Sequence, residues 1–173
     1  MNSSETLSLR RISSFAVVLL ALSGCEGKAP PSAQDIRDDT VCTLDGMLLK
    51  DYPGPKAQIQ YETGSPDFFC DTVEMFSIVL QPESARRIRA VFTQDMAQAD
   101  WRDPRGHWID ARAAFYVGGS RQQGSMGPTF ASFARRGDAE NFARTQGGRV
   151  LRFTDVTPEM ADLRGGASHD ENM

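Results

Sequence analysis

The sequence is poor in the side chains that most metal and catalytic sites use. Its 173 residues include only two histidines and three cysteines, and no Cys-x-x-Cys pair occurs. With so few imidazoles, the chain lacks the nitrogen-rich donor set that Cu²⁺ prefers in tetragonal geometry. No Ser/His/Asp order stands out, and no thiol has an identifiable general base, so these patterns do not favour an enzyme.

The chain also lacks a net positive charge and a long apolar run. The formal net charge is −4 at pH 7, so the composition does not indicate a nucleic-acid surface. The apolar run at residues 15–22 is far too short to cross a bilayer as a permanent helix, and no second run follows. The rest of the chain is therefore expected to fold outside the bilayer.

The first segment has the features of a secretory signal. An arginine pair at residues 10–11 precedes the short apolar run, and small residues lead to Cys25. The ending LSGC at residues 22–25 is similar to a bacterial lipobox, in which the cysteine receives a lipid. We therefore predict a signal peptide over 1–24 and a lipid anchor at Cys25 on the periplasmic face of a membrane, inner or outer. An ordinary cleaved leader is the alternative.

A tether and one folded body are predicted to follow. Residues 25–39 are rich in glycine, proline and polar side chains, which favours a flexible tether. Residues 40–164 are expected to form the body, and residues 165–173 a disordered tail.

The hydrophobic pattern of the body predicts an α+β fold. Apolar residues at helical spacing predict a helix over 71–80, with Asp71 or Asp67 as its N-cap. A second helix is predicted from Asp138 to about Gln146, where Gly147 ends it. Alternating patterns predict strands before and after each helix. The element order predicts two β-β-α-β units packed as one body; strands are expected at residues 57–61, 88–92, 113–117, 129–134 and 149–153.

Soft metal donors occur in residues 42–47, which read CTLDGM. Cys42 and Met47 stand five residues apart, and Gly46 permits a tight turn between them. Thiolate and thioether both favour Cu(I) over Mg²⁺ or Ca²⁺. If Cys25 carries a lipid, Cys42 and Cys70 remain in an oxidising compartment. The spacing alone does not decide whether they form a disulfide or stay as thiols.

Six stretches of the body, taken in order, resemble the NosL family, the accessory lipoproteins of nitrous oxide reductase maturation. The resemblance implies a periplasmic Cu(I) metallochaperone, without catalytic activity, that serves the copper sites of nitrous oxide reductase through its membrane ABC-type maturation complex. It also implies a fold of two β-β-α-β units. The matching stretches are residues 42–47 (CTLDGM), 51–57 (DYPGPKA), 108–111 (WIDA), 124–128 (GSMGP), 139–143 (AENFA) and 147–151 (GGRVL).

The resemblance also implies a set of metal ligands. Cys42, Met47 and Met126 match the soft donors of the family, whereas Asp45 stands where many relatives carry a second cysteine. His169 and Met173 in the tail are left open as additional donors. Two other functions stay open: a structural lipoprotein with a Cys42–Cys70 disulfide, and a lyase-like or thiol enzyme.

Overall fold

Two small antiparallel sheets, each with one α-helix, and a separate two-stranded hairpin form the part of the body that the structure describes. The computed structural model of the chain describes residues 30–81 and 86–163. The predicted signal peptide, the lipid anchor at Cys25 and the tail at 165–173 lie outside these residues. Within the described ranges, no helix is long and apolar enough to cross a membrane.

The first sheet surrounds the helix that was predicted over 71–80. That helix begins after Asp71, which accepts a hydrogen bond from the N–H of Val73 and forms a capping box with Glu74. The prediction of Asp71 as N-cap is therefore confirmed. The sheet order is β2-β1-β3-β4, with all pairs antiparallel. The elements are β1 (Ala57–Tyr61), β2 (Asp67–Phe69), α1 (Thr72–Val79), β3 (Ile88–Gln94) and β4 (Trp108–Asp110).

The second sheet follows the same plan. The helix of this sheet starts earlier than predicted, since Arg135 and not Asp138 occupies the N-cap position. Asp138 instead accepts a hydrogen bond from Arg135 Nε at 2.7 Å. The sheet order is β8-β5-β9. The elements are β5 (Phe115–Gly118), the hairpin strands β6 (Gln123–Gly124) and β7 (Gly127–Pro128), β8 (Ala131–Phe133), α2 (Arg136–Gln146) and β9 (Arg149–Arg152).

The two units repeat one topology, which confirms the predicted α+β fold. In each sheet the first strand of the unit lies in the centre, between the second strand and the strand that follows the helix. Phe76 of α1 joins the units, with its ring centroid 5.0 Å from Tyr116 of β5 and 5.4 Å from Phe130. Edge-to-face pairs of this kind add about 0.5–1.5 kcal/mol each beyond the burial of apolar area.

Part of the segment predicted as tether is in contact with the body. The main chain of Gln34 exchanges two hydrogen bonds with the side-chain amide of Gln58, at 2.9 and 2.8 Å. Ile36 is 9% exposed, and Trp108 Nε1 donates to Asp35 Oδ1 at 3.2 Å. The polar composition of this segment gives no sign of these contacts. They form because the buried amide of Gln58 on β1 needs hydrogen-bond partners, which the main chain of Gln34 provides. Ordered structure therefore begins before residue 40.

Candidate metal centre

The loop over residues 42–47 is a closed turn, as the position of its glycine predicts. The N–H of Cys42 donates to the carbonyl of Met47 at 2.8 Å, and the N–H of Gly46 donates to the carbonyl of Cys42 at 2.9 Å. Gly46 has a φ of +77°, a conformation that side chains with a Cβ disfavour. Asp45 Oδ1 accepts the N–H of Met47 at 2.9 Å, which fixes the last part of the turn.

Hydrogen bonds to β2 bring this loop to Cys70. The N–H of Thr43 donates to the carbonyl of Phe68 at 2.8 Å, and the N–H of Phe68 donates to Thr43 Oγ1 at 3.2 Å. Cys70 follows β2 directly. Cys42 and Cys70 are 2% and 0% exposed and both are free thiols. The disulfide that the sequence left open is therefore absent between these two residues.

The sulfur atoms of the two cysteines form a compact donor group with Asp45. The two Sγ atoms and a carboxylate oxygen of Asp45 all lie within 4.8 Å of one another. Met47 packs, partly buried, against the apolar cluster that contains both cysteines. The structure thus brings the predicted ligands Cys42 and Met47 together and adds Cys70.

The third predicted ligand, Met126, lies at the tip of the hairpin β6–β7 and is 61% exposed. Asp71 anchors this hairpin beside the cysteine pair. Its Oδ2 accepts the N–H of Ser125 at 3.2 Å, and its Oδ1 accepts the hydroxyl of Thr129 at 2.5 Å. Since Asp71 follows Cys70 in the chain, the hairpin is fixed next to the site, and the side chain of Met126 remains accessible to solvent.

Glu74 connects the loop to the beginning of α1. The thiol of Cys42 donates to Glu74 Oε2 at 3.2 Å, and the same oxygen accepts the N–H of Asp71 at 3.2 Å. Glu74 is 3% exposed. One buried carboxyl group therefore serves both as the reciprocal member of the helix cap and as the hydrogen-bond partner of the thiol.

The surroundings give the two thiols very different acidities. A hydrogen bond with Cys70 lowers the pKa of Cys42 to about 6, against the opposing effect of burial. The same hydrogen bond, together with burial, raises the pKa of Cys70. Burial and the negative charge of Cys42 raise the pKa of Glu74 to about 8. Cys42 is therefore the sulfur that loses its proton most readily.

A buried lysine lies beneath the cysteine pair. Lys56 is 1% exposed, and its Nζ donates to the carbonyls of Tyr52, Pro53 and Cys70 at 2.8, 3.0 and 3.0 Å. Burial lowers the pKa of Lys56, and the acidic groups around it, Cys70, Asp71 and Glu74 among them, oppose this effect. The sequence does not reveal the burial of Lys56, because a lysine after a Pro-Gly-Pro turn carries no signal that it will be buried.

Comparison with known proteins identifies the family. The family model named NosL matches residues 33–161.

The chain belongs to the NosL family.

The sequence is 39% identical to the copper-binding lipoprotein NosL of Stutzerimonas stutzeri, over 88% of this chain and 86% of that protein. It is 37% identical to the copper-binding lipoprotein NosL of Achromobacter cycloclastes, over 84% of this chain and 79% of that protein. Its structure is similar to the crystal structure of the copper chaperone NosL from Shewanella denitrificans, with a TM-score of 0.71 and 37% identity. That match covers 76% of this chain and 99% of the other. The predicted resemblance is thus confirmed.

The donor set of this NosL chain is rich in sulfur. The two thiols of the compact group are soft donors, and the carboxylate of Asp45 is a hard one. Met47 offers a thioether from the same loop, and Glu74 Oε2 lies 3.2 Å from Cys42 Sγ. The part of the chain that the structure describes places no histidine in this group. A univalent ion that tolerates low coordination numbers and prefers sulfur therefore fits these residues better than Mg²⁺, Ca²⁺ or Cu²⁺.

Proposed function

We propose that this chain is a membrane-anchored, non-catalytic carrier that binds Cu(I) at residues 42–47 and delivers it for assembly of the nitrous oxide reductase copper centres. Two relatives at 37–39% identity are named copper-binding lipoproteins, and the similar crystal structure is of a copper chaperone. The single observation that carries the proposal is the pair of buried, free thiols, one of which, Cys42, lies in the loop that also provides Met47.

Cys42 is the principal ligand in this proposal. Its thiol has a lowered pKa of about 6, so the anionic form that binds metal is available at neutral pH. Met47 supplies a thioether from the same loop, and Met126 supplies a second from the hairpin that Asp71 anchors. Thioethers are neutral and weakly held donors, so an exposed Met126 can leave the ion first when a client offers its own ligands.

The surface around the loop fits a carrier that docks with a client. Val41, Leu44 and Met126 are 48%, 43% and 61% exposed, and all three are apolar. Val41 and Leu44 lie on either side of Cys42 in the sequence, so a client that covers them also covers the loop over residues 42–47. Exposed apolar side chains next to the candidate ligands favour an interaction surface there. The client in this proposal is nitrous oxide reductase or its membrane ABC-type maturation complex, reached from a lipid anchor at Cys25 on the periplasmic side.

Anaerobic titration with Cu(I) against a chromogenic chelator tests the binding step. We expect one tightly held ion per chain, with a large loss of affinity in Cys42→Ser and a smaller loss in Met126→Leu. Met96→Leu is the matched control, because Met96 packs against the cluster of the second unit and not against the cysteines. Full affinity in Cys42→Ser would contradict the proposed site.

Transfer to the client tests the delivery step. The Cu(I)-loaded chain is mixed anaerobically with metal-free nitrous oxide reductase and its ABC-type complex, and copper in the enzyme is measured after separation. Copper should move from the wild type faster than from an equal concentration of Cu(I)–chelator complex. Equal rates from chain and chelator would refute directed delivery and leave the binding step standing.

A further inference from the structure

Cys70 lies close to Cys42 although 27 residues separate them in the chain. It is completely buried between the end of β2 and the cap of α1, and its sulfur lies within 4.8 Å of Cys42 Sγ and of a carboxylate oxygen of Asp45. A metal–thiolate bond of about 2.3 Å allows one ion to join two sulfurs up to about 4.6 Å apart. The two thiols therefore lie close to the spacing that a shared ion requires.

The backbone holds this pair in place without a covalent link. The loop over residues 42–47 is held by two hydrogen bonds between Thr43 and Phe68. Cys70 is held by its carbonyl, which accepts a hydrogen bond from Lys56 Nζ at 3.0 Å. The Cys70 thiol shares a hydrogen bond with Cys42 and makes a long contact, 3.9 Å, to the carbonyl of Met47. A metal ion between the two sulfurs would replace the proton that they share.

Lys56 is the second, independent observation. An ammonium group is almost never fully buried unless a negative partner is present, because an uncompensated buried charge costs several kcal/mol. The hydrogen bonds that the structure shows for Lys56 Nζ end on neutral carbonyl oxygens. The acidic groups of Cys70, Asp71 and Glu74 lie near enough to favour its charged form. Since Nζ contacts the carbonyl of Cys70 at 3.0 Å, the cation is placed to balance negative charge at the second cysteine.

We infer that Cys70 is a second thiolate ligand of the Cu(I) ion, and that Lys56 is the positioning residue that compensates the charge of the loaded site. The inference rests on the proposed Cu(I) binding. Each cysteine that enters as a thiol gives its proton to solvent when its bond to copper forms, and copper stays univalent throughout. Two thiolates and one Cu(I) carry one negative charge, which lies beside the ammonium of Lys56. Met47 and Met126 then act as the exchangeable neutral donors.

Cu(I) competition titrations on the full chain, with Cys70→Ser and Cys42→Ser, test the second ligand. Both substitutions should weaken Cu(I) binding by about 100-fold or more, since each removes an anionic soft donor. The near-ultraviolet absorption from thiolate to Cu(I), which thioethers do not produce, should fall by about half in Cys70→Ser. Wild-type affinity and absorption in Cys70→Ser, with binding lost in Cys42→Ser, would overturn the second thiolate and leave the proposed function intact. Absence of Cu(I) binding in the wild type would overturn both.

Lys56→Met tests the role of the cation, with Lys50→Met on the exposed surface as the matched control. Loss of the charge should weaken Cu(I) binding by about 10- to 100-fold, the range for groups that tune metal ligands from outside. The Lys50→Met chain should bind as the wild type does. A Lys56→Met chain with a lower melting temperature but unchanged affinity would show a purely structural role and refute the inference for Lys56. If a substituted chain does not fold, the wild-type absorption per bound copper still shows whether one or two thiolates bind the ion, because one thiolate gives about half the intensity of two.

Discussion

Replacement of Gly124 by alanine is the sharpest test of how the hairpin is held against the site. A Cβ at this position would lie 1.9 Å from Asp71 Oδ2 and 2.9 Å from the Cβ of Thr129. The added methyl must therefore displace the carboxylate that accepts the N–H of Ser125 and the hydroxyl of Thr129. Neither neighbour is the far end of a long flexible side chain, so Asp71 has to move, and the hairpin that it holds moves with it.

The size of the effect follows from two contributions. Overpacking in a well-packed region costs about 1–3 kcal/mol, and a lost hydrogen bond to a charged group costs about 1.5–3 kcal/mol. The two overlap, because one movement of Asp71 relieves the clash and breaks the bond. We expect Gly124→Ala to lower the free energy of unfolding by about 3 kcal/mol. We also expect weaker Cu(I) binding, since Met126 moves with the hairpin.

Urea denaturation and the Cu(I) competition titration measure these two effects. Gly137→Ala is the matched control, because a Cβ there meets no atom within 4 Å. Gly137 lies in the first turn of α2, where alanine should stabilise by about 0.5–1 kcal/mol. An unfolding free energy for Gly124→Ala within about 0.5 kcal/mol of the wild type, with unchanged Cu(I) affinity, would refute the reasoning.

Three further predictions concern the site and the core. The ultraviolet absorbance of the Cys42 thiolate should titrate with a midpoint of about 6 in the metal-free chain. Cys70→Ala should move this midpoint upward, because the hydrogen bond from Cys70 is the largest cause of the low pKa of Cys42. The folding stability that Cys42 contributes should accordingly be full above its ordinary value of 9.0 and be lost as the pH falls through about 6; a midpoint near 9 would contradict this. Phe76→Ala should lower the free energy of unfolding in urea by about 3–5 kcal/mol; a change under about 1 kcal/mol would contradict the shared core. Met126→Leu should speed loss of Cu(I) to a chelator in stopped-flow measurements, whereas Met96→Leu should not; equal rates would exclude Met126 as a ligand.

Local signals in the sequence were sufficient for most elements near the site. The cap at Asp71, the turn at Gly46 and strand β1 depend on neighbours within a few residues, and all three appear where they were predicted. The start of α2 was misplaced because Asp138 is a strong N-cap residue type, yet its side chain pairs with Arg135 inside the first turn.

The composition of the metal centre depends on contacts between distant parts of the chain. Cys70 joins Cys42 only because the metal loop pairs with β2, a three-residue edge strand that follows a turn and has no alternating pattern. Lys56 is buried because three carbonyls converge on it, which no residue pattern reveals. The sequence therefore placed the proposed ligands Cys42 and Met47 in one loop, but it did not reveal the proximity of Cys70 or the burial of Lys56, which depend on tertiary structure.

X-ray absorption at the copper edge of the one-to-one complex determines directly whether sulfur atoms hold Cu(I) in this protein. We expect an edge energy typical of Cu(I) and a first coordination shell made of sulfur, because Cys42 and its neighbours provide thiolate and thioether donors. A first shell made mainly of nitrogen or oxygen, or an edge typical of Cu(II), would show that the proposed site is wrong.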